Sequence, residues 1–388
     1  TDPEVNSFII EEASVNGYTN SRSVTLAISA SDDGGIASMR LTNEAAFSGE
    51  EGWEPYQESK SWTLSSGSGL KTVRLQVKDS AGNVNLIYAA ASITLDSQAP
   101  TEVSLGITDV NGYVQDAAVQ ITISATDSQT ADDDLRYYIS NTPTFPALSE
   151  YLPWPEGRRG YFSRSWNLSD GDGMKTVYLR VADLAGNISE ASDSVILDSE
   201  GPSGSTAYIQ EGNYLKDPNV HLIALASGAT QMFISGSVMD TVYTGEWVSF
   251  QTSTPIELDP DACVDGICDV EVTFRDNADW SDGPVALSVL LDTEEPDGAI
   301  TVNVGDDFTN SIAVTVTLSV TDNSSLAYMR LSNSAVFTGD WEPFVETRGW
   351  VLPALDTLHT VYAQVKDIAG NVSTFEDSIR LDRNSPSN

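Results

Sequence analysis

Val73-Arg-Leu-Gln-Val77-Lys-Asp79-Ser-Ala-Gly82-Asn83, followed by Ser92-Ile-Thr-Leu95-Asp96-Ser-Gln-Ala-Pro100, is the stretch on which the fold turns. Its first part alternates apolar and polar residues, the period of a strand with one face in a core and one in water. Asp-x-Ala-Gly-Asn then makes a hairpin turn. Glycine supplies a positive φ there, and the Asp and Asn side chains hydrogen-bond the turn backbone. A second strand follows and ends in Leu-Asp-x-x-x-Pro.

The same text recurs three times. Val177-Tyr-Leu-Arg-Val181-Ala-Asp183-Leu-Ala-Gly186-Asn187 precedes Leu197-Asp198 and Pro202. Val361-Tyr-Ala-Gln-Val365-Lys-Asp367-Ile-Ala-Gly370-Asn371 precedes Leu381-Asp382 and Pro386. The remaining copy, Val270-Glu-Val-Thr-Phe274-Arg-Asp276-Asn-Ala-Asp279-Trp280 before Leu291-Asp292 and Pro296, has lost the Gly-Asn. The steps between the linker aspartates are 102, 94 and 90 residues. Such a period is too long for a solenoid repeat and suits a small domain. Four domains are expected, at 1–98, 99–200, 201–294 and 295–388.

Each repeat reads as about seven short strands separated by turn signals such as Asn16-Gly17, Asn111-Gly112 and Asp170-Gly-Asp-Gly173. In the first they fall near 4–12, 23–30, 36–43, 53–58, 61–65, 71–78 and 87–95, and are called A, B, C, C′, E, F and G. No segment holds a helical period over three turns. The fold class is all-β, and the pattern predicts β-sandwiches. Large aromatics recur with the strands. Trp62, Trp166 and Trp350 begin strand E, where the third repeat has Ile256. Trp53-Glu-Pro-Tyr56, Trp247-Val-Ser-Phe250 and Trp341-Glu-Pro-Phe344 match one another, and Trp154-Pro155 is taken as the second repeat's counterpart. Recurring rings suit a core; exposed rings at Trp53, Trp154, Trp247 and Trp341 would instead suit stacking on a surface glycan.

The 388 residues carry 19 Lys and Arg against 57 Asp and Glu, a formal charge of −38. That balance argues against nucleic acid, whose phosphates call for cationic side chains, and against anionic membrane surfaces. It suits solubility, or the binding of hard divalent cations by carboxylate oxygens. The two cysteines, Cys263 and Cys268, flank an Asp-Gly turn and are expected to form a disulfide, which favours an oxidising, extracytoplasmic location. No apolar run reaches the roughly 18 residues of a membrane helix, so no membrane insertion is expected. The chain opens at Thr1-Asp-Pro3, inside the repeat pattern, and is read as a processed or excised segment.

The combination of Val-x-Val-x-Asp-x-Ala-Gly-Asn, a following strand and Leu-Asp-x-x-x-Pro resembles the bacterial immunoglobulin-like and fibronectin-III-like tandem domains of large surface proteins, adhesins and extracellular enzymes. The resemblance spans the whole chain. It implies four tandem immunoglobulin-like sandwiches in an elongated rod, extracellular, either secreted or at the cell surface. Such domains serve as spacers, adhesive tips and filament subunits.

In an immunoglobulin-like sandwich the B–C and F–G loops lie at the end where the chain comes in. Strand B is followed there by Asp32, Asp127 and Asp322; the F–G turn adds Asp79, Asp183 and Asp367; the preceding linker adds Asp96, Asp198 and Asp292. Three carboxylates from distant positions should therefore meet at the joints leading into sandwiches two and four. Oxygen-only ligands point to Ca²⁺ over zinc or copper. The alternative is that each Asp caps its own turn and faces water. The third repeat has Gly228 in place of the strand-B carboxylate, so its joint is expected to be metal-free or weaker.

Enzyme chemistry finds little here. There is no P-loop, no paired-glycine nucleotide motif and no Gly-x-Ser-x-Gly elbow. The only histidines, His221 and His359, stand in different repeats. The expectation is a non-enzymatic structural protein, a stalk segment or filament subunit that associates head-to-tail or with further copies of the same domain. The alternatives are an adhesin or carbohydrate-binding module, and a non-catalytic spacer of a secreted hydrolase.

Overall fold

The computed structural model describes residues 1–158, 160–239, 245–264 and 266–384, without the side chains of 14 and 15. Pro386 of the fourth linker motif and Asp265 between the cysteines lie outside the described residues. The chain divides into two compact units, Thr1–Ser199 and Glu200–Asn388, each holding two sandwiches.

In the first unit, sandwich one has strands A (Glu4–Ile10), A′ (Tyr18–Thr19), B (Ser23–Ser31), C (Ile36–Thr42), C′ (Glu54–Pro55), E (Ser59–Thr63), F (Gly69–Asp79) and G (Ala89–Leu95). A, B and E form a three-stranded sheet in the order A-B-E; the other sheet has the order A′-G-F-C-C′. Neighbours are antiparallel except A′ and G, which run parallel. Their inner faces interleave Leu26, Met39, Val73, Leu75, Val77 and Ile93, all essentially inaccessible. This is an immunoglobulin-like β-sandwich.

The other three sandwiches repeat this order, each with its own core. The cores centre on Ile121, Leu179 and Val181 in sandwich two, on Leu222, Val272 and Phe274 in sandwich three, and on Val316, Met329 and Val365 in sandwich four. Every F strand alternates buried residues with half-buried or exposed ones, as its period-two pattern requires.

Several bounds depart from expectation: C′ covers only Glu54–Pro55 of 53–58, and E covers Ser59–Thr63 rather than 61–65. Strand A ends at Ile10, two residues early, because Ala13–Asn16 closes one helical turn on Gly17, whose φ of 83° only glycine adopts without strain. The A′ strands were not anticipated: two residues are too few to display a period. The recurring Trp of strand E is half-buried against its core, its indole N–H donated to an asparagine (Trp62 to Asn43 at 2.8 Å, Trp166 to Asn141 and Trp350 to Asn333 at 2.7 Å). Ile256 fills the same place in sandwich three. Cys263 and Cys268 are bonded to each other.

Candidate metal centres

In sandwich two, strand B (Ala118–Thr126) stops at Asp127 and strand F (Gly173–Ala182) at Asp183, while the linker leaving sandwich one brings in Asp96. One carboxylate oxygen from each of the three lies within 4.8 Å of the others. Local hydrogen bonds aim them. Asp127 Oδ1 accepts from the amides of Gln129 (2.9 Å) and Thr130 (2.7 Å). Asp183 accepts from the Asn187 amide (2.8 Å) and from its Nδ2 (2.7 Å). Asp96 Oδ1 accepts from the Gln98 amide at 3.1 Å. Asp96 is fully buried, yet among the described residues nothing donates to its Oδ2.

Sandwich four has the same arrangement with Asp292 from the linker, Asp322 after strand B (Ala313–Thr321) and Asp367 at the end of strand F (Leu358–Asp367), again within 4.8 Å. Asp292 Oδ1 accepts from the Glu294 amide (3.0 Å), and Asp322 Oδ1 from the Ser324 amide (2.8 Å) and hydroxyl (2.7 Å). Asp367 accepts from the amides of Gly370 (2.5 Å) and Asn371 (2.9 Å) and from Asn371 Nδ2 (2.8 Å). Here both Asp292 Oδ2 and Asp322 Oδ2 are buried with no protein donor among the described residues.

Gathering carboxylates this way is electrostatically costly. Two like charges about 4 Å apart repel by about 4 kcal/mol at an effective dielectric near 20. The first cluster registers the strain: burial, then the charges of Asp127 and Asp183, push the Asp96 carboxyl above its ordinary range. Burial, with Asp127 beside it, does the same to Asp183 against the opposing pull of Asn187. A dense set of oxygens with no nitrogen or sulfur suits a hard cation.

The asparagine of the F–G turn has a second task that the sequence concealed. Asn187 Nδ2 reaches out of its own turn to the carbonyls of Asp96 (2.9 Å) and Gln98 (3.0 Å), and Asn371 Nδ2 to that of Asp292 (2.8 Å). The linker that delivers the third carboxylate is thus gripped by the turn that delivers the second. The one available signal was the joint loss of Gly-Asn and of the strand-B carboxylate in the third repeat.

The remaining predicted ligands stand apart from these clusters. Asp32 accepts from the Gly34 amide (2.7 Å) and the Thr1 hydroxyl (3.0 Å). Asp79 accepts from the Ala81 and Asn83 amides (2.8 Å each) and from Asn83 Nδ2 (2.8 Å); the Asn83 side chain first, then those amides, hold its carboxyl below the usual range. Both act as turn caps. The Asp198 amide donates to the Val114 carbonyl at 3.0 Å. In sandwich three, Gly228 has a φ of 81°, and the buried Asp276 accepts from the amides of Ala278 (2.9 Å) and Trp280 (3.0 Å).

The aromatic set needs one correction. Strand C′ pairs Leu152 with Tyr137 and Pro153 with Arg136, as Glu54 pairs with Met39 and Pro55 with Ser38. Trp154 therefore takes the place of Tyr56, not of Trp53, whose place falls to Tyr151. Accordingly Trp154 is 2% exposed, in edge contact with Tyr137 and Phe162, and donates to the Arg158 carbonyl at 2.6 Å, so it has no face for a sugar. The three true counterparts are half-buried under cations: Arg40 and Lys78 lie 4.9 and 4.2 Å from the Trp53 ring, Arg275 4.3 Å from Trp247, and Arg330 and Lys366 4.4 and 4.3 Å from Trp341.

The described residues thus define a tandem of immunoglobulin-like sandwiches, two of which receive their linker through a three-carboxylate cluster. No protein-family model matches the sequence, and no curated protein does. Among solved structures the chain is similar to a tetra-tandem repeat in the extending region of a large adhesion protein, at 16% identity over 97% of this chain and 99% of that one, TM-score 0.31. It is also similar to the Escherichia coli adhesin FdeC, at 14% identity over 75% and 96%, TM-score 0.30. A third likeness is to the FN1–FN3 domains of chicken CNTN1, at 13% identity over 75% and 99%, TM-score 0.29. Among the described residues no helix is long and apolar enough to cross a membrane.

Proposed function

We propose that this chain is a structural tandem of an extracellular surface protein, and that Ca²⁺ braces the joints leading into sandwiches two and four. The observation that carries the proposal is the convergence of three carboxylates at each joint, where Asp96 and Asp292 are buried and each keeps an Oδ2 with no donor among the described residues. Burying a carboxylate oxygen without a donor is unfavourable unless a cation takes the donor's place. The repeat and the disulfide support the extracellular structural role. Further copies of the same sandwich, on one chain or a neighbouring one, are the partners this reading proposes.

Two measurements test it. Hydrogen exchange of the full chain, with Ca²⁺ and with chelator, should show the amides of residues 96–99 and 292–295 slowed by the cation; equal exchange in both would refute the bracing role. Immunogold labelling of intact cells should decorate the surface. Label appearing only after permeabilisation would refute the location.

A further inference from the structure

The two clusters are each built of three aspartates at matching positions but are not equally prepared for a cation. Among the described residues, one buried oxygen at the joint into sandwich two lacks a donor, Asp96 Oδ2, and two do at the joint into sandwich four, Asp292 Oδ2 and Asp322 Oδ2. An oxygen already stripped of water and of donors has no hydrogen bond to give up when a cation arrives. The second cluster therefore gains more on binding.

The linker ligands are also held differently. Asp292 directly follows Leu291, whose amide donates to the Gly266 carbonyl at 2.8 Å. Gly266 lies inside the short loop that Cys263 and Cys268 close, and a side chain at Gly266 would meet the Leu291 carbonyl at 3.3 Å. The cross-linked loop thus sits directly on the residue before the ligand. The bond from the Asp292 amide to the Leu215 carbonyl at 2.8 Å is matched by that from the Asp96 amide to the Thr19 carbonyl at 2.9 Å, so the difference between the linkers is the cross-link behind the strand end. In sandwich one the corresponding loop is Ser65-Ser-Gly-Ser68, with no cross-link, and Leu95 before Asp96 is met through the ladder pair with Gly69.

Resting on the cation reading proposed above, we infer that the cluster of Asp292, Asp322 and Asp367 is the stronger Ca²⁺ centre, and that the disulfide Cys263–Cys268 is a positioning element for its linker ligand. A covalent loop fixes the strand end that presents Asp292. The centre is then preorganised, so less ordering is needed on binding.

The test uses the full chain with one centre removed at a time. Asp127→Asn leaves the second centre, Asp322→Asn the first, and calorimetric titration with Ca²⁺ gives each affinity. The Asp127→Asn protein is expected to bind at least about 10-fold more tightly. Adding Cys263→Ser with Cys268→Ser should weaken that binding several-fold and leave the Asp322→Asn protein unchanged, whereas general damage to the fold would lower both. Equal affinities in the two single variants overturn the inference without any cysteine change, and so does an affinity of the second centre indifferent to the cysteines. Absence of Ca²⁺ binding in both variants overturns the cation reading itself.

Discussion

Sandwiches three and four of the second unit have the same strand order and comparable cores, yet their incoming ends are built on different chemistry. Sandwich four meets its linker with three carboxylates and the Asn371 clamp. Sandwich three has Gly228 and Trp280 at the matching positions, and the Trp280 Cβ lies 3.0 Å from where a side-chain carbon on Gly201 would stand. An indole against the linker backbone has replaced the amide that grips it. Phe274 and Ala278 of sandwich three are buried all the same. The sandwich therefore folds without the Gly-Asn of the turn, while it keeps the buried Asp276 at the end of strand F.

The largest expected consequence is a difference in response to chelation. A ligand bound only by the folded state, at a concentration a hundred times its Kd, stabilises by about 2.7 kcal/mol. Scanning calorimetry with and without chelator should lower the transition of sandwich four and leave that of sandwich three in place. Both moving together would erase the distinction.

Next in size is the clamp. Asn371→Ala removes the donor to the Asp292 carbonyl and to Asp367, both buried, and is expected to cost about 1–3 kcal/mol. Denaturant unfolding monitored at sandwich four measures it; a loss below a few tenths of a kcal/mol would make the hydrogen bond incidental.

Asp322→Asn should change sign with conditions. In chelator it removes one of three crowded charges and is expected to raise stability by about 1 kcal/mol, or roughly 4–8 °C in Tm for a domain of this size. In saturating Ca²⁺ it should lower stability, because a ligand is gone. Melting curves in both buffers decide, and the same sign in both would mean that Asp322 only caps its turn.

The smallest effect belongs to the converse change. Gly228→Asp restores the missing residue type, but a φ of 81° makes a side chain there cost about 1 kcal/mol. The variant should be slightly less stable and gain no cation. A third bound Ca²⁺ would show that residue type alone makes the centre.

The strands were legible because every F strand displays its period, and in three of the four repeats the turn after it carries Gly and Asn. The two-residue A′ strands have no room for a period. Six of the nine proposed ligands meet because the repeat placed the B–C loop, the F–G turn and the linker at one end. Asp32 and Asp79 carry the same signature, and in the described residues each accepts hydrogen bonds from its own turn. Trp154 misled by composition: Trp-Pro resembles Trp-Glu-Pro, but pairing of Pro153 with Arg136 shifts the register by three residues and turns the ring into the core. The motif marks Asn187 and Asn371 as turn residues. That is correct and incomplete, since an amide has two N–H bonds and the second one holds the linker.

The central claim, that two of the joints are cation centres, is tested most directly by counting. Equilibrium dialysis of the chelator-stripped full chain against Ca²⁺, with bound metal measured by atomic absorption, should find two ions per chain, one in Asp127→Asn, one in Asp322→Asn and none in the double variant. Absence of stoichiometric binding at millimolar Ca²⁺, or a count that neither substitution changes, would contradict it.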